Sequence, residues 1–416
     1  MELLDQSGSR TGVAALELVA EARFIRVDVN QPIAHRLQGT EGHIGSQGTD
    51  AYLLLEDGAR FDGRLLTGTA EGIGEAVFTT NHTGYQEVLT DPSFAGQIVV
   101  MTAPMIGNYG TQPEDDQSRR TWVAGFVLRR LSDAAPRGRE ALPAYLQRHQ
   151  VPTLIGVDTR AITRHIRELG AMRAGLFMAT TEEPEAMQRV QGEAPMDGRE
   201  LATKVSTPTP YSLEQADPAA GRVVCLDYGV KRRSLELIRD NGFSVIVMPA
   251  VAPVEAILST DPRGIFVSNG PGDPAAVPGA AEKIRVLSDA GLPVFGICLG
   301  LQLIVRAFGG STYKLPYGHR GGNHPVKNLE TGVVEITSQN HGFAVRGTGA
   351  GVEGAIQLRV THVNLNDGTI EGVAHESRPV FAVQYHPESA PGPHDSRYLF
   401  DRFVQAMHTT ASTATG

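Results

Sequence analysis

Cysteine is almost missing: the 416-residue chain has two. So few thiols exclude a disulfide framework and fall short of a Cys-rich zinc site, which points to a reducing cytoplasm and leaves a thiol free for chemistry. Long apolar runs are missing too. No stretch approaches the roughly 18 residues of a membrane-spanning helix, and at 41% hydrophobic and 20% charged the composition is that of a globular protein. Positive charge is in deficit, 37 Lys and Arg against 46 Asp and Glu, for a net charge of -9. That argues against a phosphate-backbone partner, since nucleic-acid binders carry a basic face. The amino terminus lacks the basic start and apolar stretch of a signal peptide. Glu2, Asp5, Glu17 and Glu21 also make a poor organelle transit sequence, so no targeting is expected.

What is present exceeds a single core, because a chain of this length predicts about two domains. Residues 1–48 are uneven and end in a Gly-rich stretch, 38–48, which reads as an extension or flexible arm. From Ala51, short apolar runs at 52–55, 74–79 and 97–103 alternate with turn residues such as Asp57-Gly58, predicting a β-rich start. Helical periodicity appears at 142–149 and 158–169, with Asp158 or Thr159 as the cap and Gly170 as the stop. Between 181 and 221 the chain turns rich in Glu, Pro, Ser and Thr, and Pro208, Pro210 and Pro218 are expected to break any regular element. The junction falls there: a first domain over 49–195, then a linker over 196–221.

Beyond the junction, strand and helix patterns alternate at 223–226, 234–240, 244–247, 254–258, 264–267, 280–289, 293–297 and 299–308. The fold class expected is therefore α/β: a β-rich amino-terminal domain, then an α/β domain over 222–408 with a mostly parallel central sheet covered on both faces. Active sites in such sheets lie at the carboxyl ends of strands. The tail, 409–416, is small and polar and is expected to fray.

The most informative segment is Pro293-Val294-Phe295-Gly296-Ile297-Cys298-Leu299-Gly300-Leu301-Gln302, where an apolar strand runs into Cys298 and a helical pattern follows. Gly296 and Gly300 flank the thiol at minus two and plus two. That is the spacing of a nucleophile elbow, a strained turn that lifts a side chain to the sheet's edge. A thiol just before a helix amino terminus feels the positive end of the dipole, which is expected to lower its pKa. A buried strand cysteine is the plain alternative, because free Cys is among the most buried residues. Cys225, in Val223-Val224-Cys225-Leu226, has no such glycines and is assigned to the core.

A thiolate nucleophile needs a base, and the apolar run 380–385 ends in His386-Pro387-Glu388. Residues two apart in an extended chain share a face, so Glu388 can hold the His386 imidazole in one tautomer while its other nitrogen faces Cys298. Alone, the tripeptide reads more often as a surface turn; its place after a buried strand favours the catalytic reading. Ser268-Asn269-Gly270-Pro271-Gly272-Asp273-Pro274 also follows an apolar strand. Its glycines allow N–H groups to be aimed at an oxyanion, with the Leu299 N–H as a second donor, whereas a tight turn is the plain alternative. No Gly-Lys-Ser or Gly-Lys-Thr follows, so it is not a Walker phosphate loop. His319, His324, His341, His386 and His394 lack the spacing that puts two ligands on one helical face, and no metal is expected.

Together these segments resemble the class I, triad-type glutamine amidotransferases over about 222–407. Within that class they are similar to the carbamoyl phosphate synthetase small subunits, through Leu226-Asp227-Tyr228-Gly229-Val230-Lys231, Gly318-His319-Arg320-Gly321-Gly322-Asn323-His324-Pro325-Val326 and Ser338-Gln339-Asn340-His341-Gly342-Phe343-Ala344-Val345. In the first domain the matching segments are Asn81-His82-Thr83-Gly84-Tyr85-Gln86-Glu87-Val88-Leu89-Thr90-Asp91-Pro92-Ser93, Ile106-Gly107-Asn108-Tyr109-Gly110 and Gly156-Val157-Asp158-Thr159-Arg160. The resemblance implies Cys298 as nucleophile, His386 as general acid and base and Glu388 as its orienting partner. It implies that L-glutamine is held by Ser93, Gly270, Gly272, Leu299, Gln302, Asn340, Gly342 and Phe343, with Ser93 reaching in from the first domain. It also implies a partner, a large synthetase subunit. That subunit would take the ammonia through a channel and use ATP, Mg and bicarbonate to make carbamoyl phosphate for arginine and pyrimidine synthesis, this chain needing no cofactor.

Residues 1–48, Gly322 and Thr111-Gln112 depart from the family pattern without touching the triad. Competing readings are a glutaminase of anthranilate or GMP synthesis, a thiol hydrolase acting on γ-glutamyl compounds, and a catalytically silent partner. The additional first domain argues against the first of these, and the intact triad against the last.

Overall fold

The computed structural model describes residues 48–215 and 221–414, the side chains of 411–414 excepted. Of the arm expected at 1–48, residues 1–47 lie outside the described residues, as does Pro218, and Gly48 opens the first strand. Seven strands, β1 (Gly48–Leu55), β2 (Arg60–Leu66), β3 (Gly72–Thr79), β4 (Gln97–Met101), β5 (Gly125–Leu128), β6 (Thr153–Ile155) and β7 (Met172–Met178), close a barrel in the order β1-β2-β6-β5-β4-β3-β7. Strand alternation makes the closure possible: Ile98 and Val100 enter one buried cluster, Val99 and Met101 another. Helices α1 (Tyr85–Thr90), α2 (Leu142–Arg148) and α3 (Thr159–Leu169) connect the strands. Of the two caps considered for α3, Asp158 serves, its carboxylate accepting the Arg160 and Ala161 N–H groups at 3.1 Å each. Gly170 ends the helix at φ 101.

The stretch expected to lack regular elements does not. Helix α4 (Glu183–Gly192) forms with Pro184 in its first turn, where the missing N–H has no intrahelical partner to lose. A short α5 (Ala202–Val205) follows, and β8 (Tyr211–Leu213) pairs antiparallel with a later strand.

The large sheet contains β9 (Arg222–Asp227), β10 (Ser244–Pro249), β11 (Gly264–Val267), β12 (Val294–Ile297), β13 (Thr312–Asn328) and β14 (Val334–Val345). After a ribbon of β15 (Gly347–Thr348) and β16 (Gly351–Val352) come β17 (Leu358–Asn364), β18 (Ile370–His375) and β19 (Val380–Val383). Its order is β14-β13-β17-β18-β19-β12-β11-β9-β10-β8. The run from β19 to β10 is parallel. The strands from β14 to β18 and the edge strand β8 are antiparallel, so the sheet is mixed and not the mostly parallel one expected. The reason is connection length. Helices α6 (Arg232–Asp240), α7 (Val254–Leu258), α8 (Ala280–Asp289) and α9 (Leu299–Ala307) supply the crossovers that parallel strands need, whereas turns of a few residues link β13 to β14, β17 to β18 and β18 to β19.

Period-two alternation again fills both faces. Val224, Leu226, Ile265 and Val267 join one core, and Val223, Cys225, Phe266 and Phe295 the other. Cys225 is fully buried there. Helix α10 (Tyr398–Ala414) carries on through most of the tail expected to fray. No described helix is long and apolar enough to cross a membrane.

Candidate active site

Strands β9, β11, β12 and β19 stop side by side, and the site is built on the segments that leave their carboxyl ends. Cys298 joins β12 to α9 at φ 55, ψ -106, a backbone conformation that costs a non-glycine residue about 1–3 kcal/mol. Its N–H donates to the Val383 carbonyl at 2.8 Å, holding the turn against β19. The flanking glycines are there for close approach. A Cβ on Gly300 would lie 2.2 Å from the Val267 carbonyl oxygen, and one on Gly296 would lie 2.5 Å from Ile304 Cδ1. Cys298 is 2% exposed, and its thiol donates to the Asn340 carbonyl at 3.6 Å.

His386 follows β19, with its N–H on the Ser338 carbonyl at 2.8 Å. Its Nδ1 lies 2.7 Å from Glu388 Oε1, so the pair anticipated from the two-residue spacing is formed. Lys231 Nζ lies 2.7 Å from the same oxygen, and all three side chains are buried. Burial disfavours charge on each, but opposite charges win. Glu388 holds His386 up at about 10 against the opposing Lys231, while Lys231 and His386 hold Glu388 down at about 2. His386 Nε2 has no hydrogen-bond partner among the described residues, yet Cys298 is near enough to favour the imidazolium.

The cleft beside the thiol is lined by Ser93, Gln97, Met196, Gly270, Pro271, Gly272, Cys298, Gln302, Arg320, Asn340, His341, Gly342 and Phe343. Of the residues singled out in the sequence, Ser93, Gly270, Gly272, Gln302, Asn340, Gly342 and Phe343 therefore meet on one surface with Cys298. Ser93 comes from the barrel, its Oγ accepting from Asn269 Nδ2 at 2.9 Å. Gln302 Nε2 donates to the Phe343 carbonyl at 2.9 Å and to Gln384 Oε1 at 3.1 Å, which pins α9 to β14. Leu299 leads α9, so its N–H is one of the four without an intrahelical acceptor. A Cβ on Gly270 would come 2.1 Å from the Tyr228 carbonyl and 2.9 Å from Leu299 Cδ2. Gly272 combines φ 88 with a 2.6 Å clash against the Arg199 carbonyl, so only glycine fits.

Sequence reasoning missed several participants. Asp91, in the barrel, accepts from Asn340 Nδ2 at 3.0 Å and from Asn269 Nδ2 at 3.4 Å, tying two cleft loops together. Lys231 and Arg320 stood inside quoted motifs without a role. His319, His341 and Glu371 offer ligand atoms within 4.8 Å of one another, although no helical spacing linked them. They lie on β13, β14 and β18. Folding has joined them to other partners: His319 Nε2 is 2.8 Å from Asp367 Oδ2, His341 Nδ1 donates to the Phe343 carbonyl at 2.7 Å, and Glu371 accepts from Asn364 at 2.8 Å and Gln339 at 3.0 Å.

Known proteins fit this geometry. The family described as glutamine amidotransferase class-I matches residues 224–406, and the fold and thiol site place the second region in that class. The family described as carbamoyl-phosphate synthase small chain, CPSase domain, matches residues 53–176. Among relatives, a carbamoyl phosphate synthase small chain of Thermus thermophilus is 48% identical, covering 86% of this chain and 94% of its own. That of Thermosynechococcus vestitus is also 48% identical, over 86% of this chain and 97% of its own. The chain belongs to the carbamoyl phosphate synthase small chain family. Among solved structures, a glutamine amidotransferase from Thermotoga maritima covers 45% of this chain and 97% of its own at 13% identity and a TM-score of 0.36.

Proposed function

We propose that this chain is the glutamine-hydrolysing subunit of a carbamoyl phosphate synthase. The observation that carries the reading is Cys298 on its strained turn at φ 55, with the buried His386 and Glu388 pair 2.7 Å apart behind it. The Cys298 thiolate attacks the glutamine carboxamide carbon, and the Gly270 and Leu299 N–H groups take the oxyanion. His386 gives its Nε2 proton to the departing nitrogen, the C–N bond breaks and ammonia leaves a glutamyl thioester. His386 then takes a proton from water, whose oxygen attacks the thioester; the C–S bond breaks, releasing glutamate and restoring the thiolate beside the protonated His386. Glu388, fixed by Lys231, keeps Nδ1 protonated and Nε2 toward the reaction. Ser93, Gly272, Gln302, Asn340, Gly342 and Phe343 shape the glutamine site.

Free ammonia is lost to water as ammonium, so the reading includes a large synthetase subunit that receives it and uses ATP, Mg and bicarbonate to make carbamoyl phosphate. A second cavity of about 440 Å³, lined by Glu87, Tyr109, Ser389, Pro391 and Gly392 just past Glu388, supports an exit on that side. The two cysteines, both unpaired, agree with a reducing cytoplasm. The test is glutamate release from glutamine, wild type beside Cys298→Ser, with mass detection of a glutamyl adduct. Release and an adduct in the wild type alone support the reading. Equal release by the variant overturns the nucleophile, and no release even with a large synthetase subunit present overturns the activity.

A further inference from the structure

Arg320 is a buried cation that no carboxylate among the described residues pairs with, and only Glu75 and Cys298 act on it as negative groups. It lies on β13, is 4% exposed and lines the cleft beside Cys298. Its Nη1 donates to the Tyr317 carbonyl at 2.8 Å, a neutral acceptor, and its buried Nε has no hydrogen-bond partner among the described residues. The acidic side chain that most influences it, Glu75, is occupied by Lys314 Nζ at 2.5 Å and Gln97 Nε2 at 3.3 Å. Burial pushes the guanidinium down to about 10, the expected cost of a charge removed from water without a matching partner.

Local geometry directs that charge into the cleft. A Cβ on Gly342 would come 3.4 Å from Arg320 Nη2, so the bare glycine leaves the guanidinium edge open to the space that Gly342 also lines. On the other side Gly318, at φ 71, admits the guanidinium so closely that a Cβ would meet Nη1 at 2.4 Å. A planar fork of N–H donors matches a carboxylate better than any other anion an amino acid carries. With the carboxamide of glutamine at Cys298, the one negative group left on the substrate is its α-carboxylate.

We propose that Arg320 binds the α-carboxylate of glutamine and so sets the site's preference for a free amino acid over a neutral amide or a residue within a peptide. This rests on the glutamine-hydrolysing reading above. Substrate binding completes the pairing that the fold leaves undone, and a substrate without the carboxylate leaves the buried cation unmatched.

The test compares ammonia release from L-glutamine and from L-glutaminamide, in which a neutral amide replaces the α-carboxylate, by the full chain with its large subunit. Wild type is expected to favour glutamine by about 100-fold in kcat/KM. Arg320→Gln is expected to lose about 100-fold on glutamine, mostly through KM, while changing less than about 3-fold on glutaminamide. Arg320→Lys, which keeps the charge but not the fork, is expected to recover part of the loss on glutamine alone. If both substrates lose activity equally in the folded variants, Arg320 supports the site without touching the carboxylate and the proposal is overturned; if neither loses, it is overturned too. Should Arg320→Gln fail to fold, the same split in Arg320→Lys decides. A wild type that releases nothing from glutamine is a separate outcome, which removes the amidotransferase reading itself.

Discussion

In the parallel half of the large sheet, His386 lies 2.7 Å from Glu388; in the antiparallel half, His319 lies 2.8 Å from Asp367. Both imidazoles are buried, and carboxylates raise both against the effect of burial, His386 to about 10 and His319 to about 9. Their surroundings differ. Parallel strands β12 and β19 end together, so the segments leaving them converge and put a thiol beside the free nitrogen of His386. Hairpin strands β13 and β14 run on past each other, and His319 Nε2 and Gln339 Nε2 on them reach the carboxylates of Asp367 and Glu371, with no nucleophile at hand among the described residues. A raised histidine beside a carboxylate is thus no mark of catalysis by itself; what distinguishes the two is a nucleophile at a strand end.

The comparison breaks most sharply at the thiols. Cys298→Ser is expected to lower glutamine hydrolysis at least about 10³-fold, whereas Cys225→Ser keeps the activity and loses about 1–2 kcal/mol of stability from a hydroxyl buried in the core. Parallel kinetics and denaturant melts of the two variants check this, and comparable activity losses would erase the contrast. Next comes Glu388→Gln, expected to lower kcat by about 10²–10⁴-fold and, by stranding the buried Lys231, to cost about 3 kcal/mol.

His319→Gln tests the other half. Activity is expected within about 3-fold of wild type, but the pH dependence of stability changes. The folded pKa is raised, so the stabilisation is complete below the unfolded value of about 6.5 and is lost as pH rises through about 9, about 3 kcal/mol in all. Melting temperatures of the variant should decline less than wild type over that window; parallel curves would remove His319 as the cause. The smallest effect belongs to Glu87, which burial, assisted by Asp115 and Asp116, raises to about 7. A carboxyl raised in the folded state destabilises once ionised, so Glu87→Gln should stabilise by about 1 kcal/mol at pH 8, allowing for partial exposure, and have little effect at pH 4. Stabilisation equal at both pH values would mean that charge is not the cause.

Much of the site was legible because its signals are short in sequence. The elbow needs only an apolar strand, a thiol and glycines two residues away, and Glu388 reaches His386 across a two-residue extended spacing. The crossover helices α7 and α8 begin and end where the periodicity placed them, at 254–258 and 280–289. The antiparallel half was hidden, since β13 carries Gly318, Gly321, Gly322, Pro316 and Pro325, residues that read as turns when no partner strand is in view. In the barrel, β2 with its Arg, Asp and Gly escaped for the same reason.

The sequence by itself determined which cysteine stands at a turn, which histidine and carboxylate share a face, and where strand and helix alternate, because each depends on backbone sterics and side-chain period over a few residues. Only the tertiary structure decided that Lys231 holds Glu388 from 157 residues away, that Asp91 of the barrel ties Asn340 across 249, and that Arg320 reaches the cleft with its buried Nε unpartnered among the described residues. Those pairings come from packing segments whose separation along the chain carries no period to read, and burial, which makes each of them consequential, exists only once the segments have met.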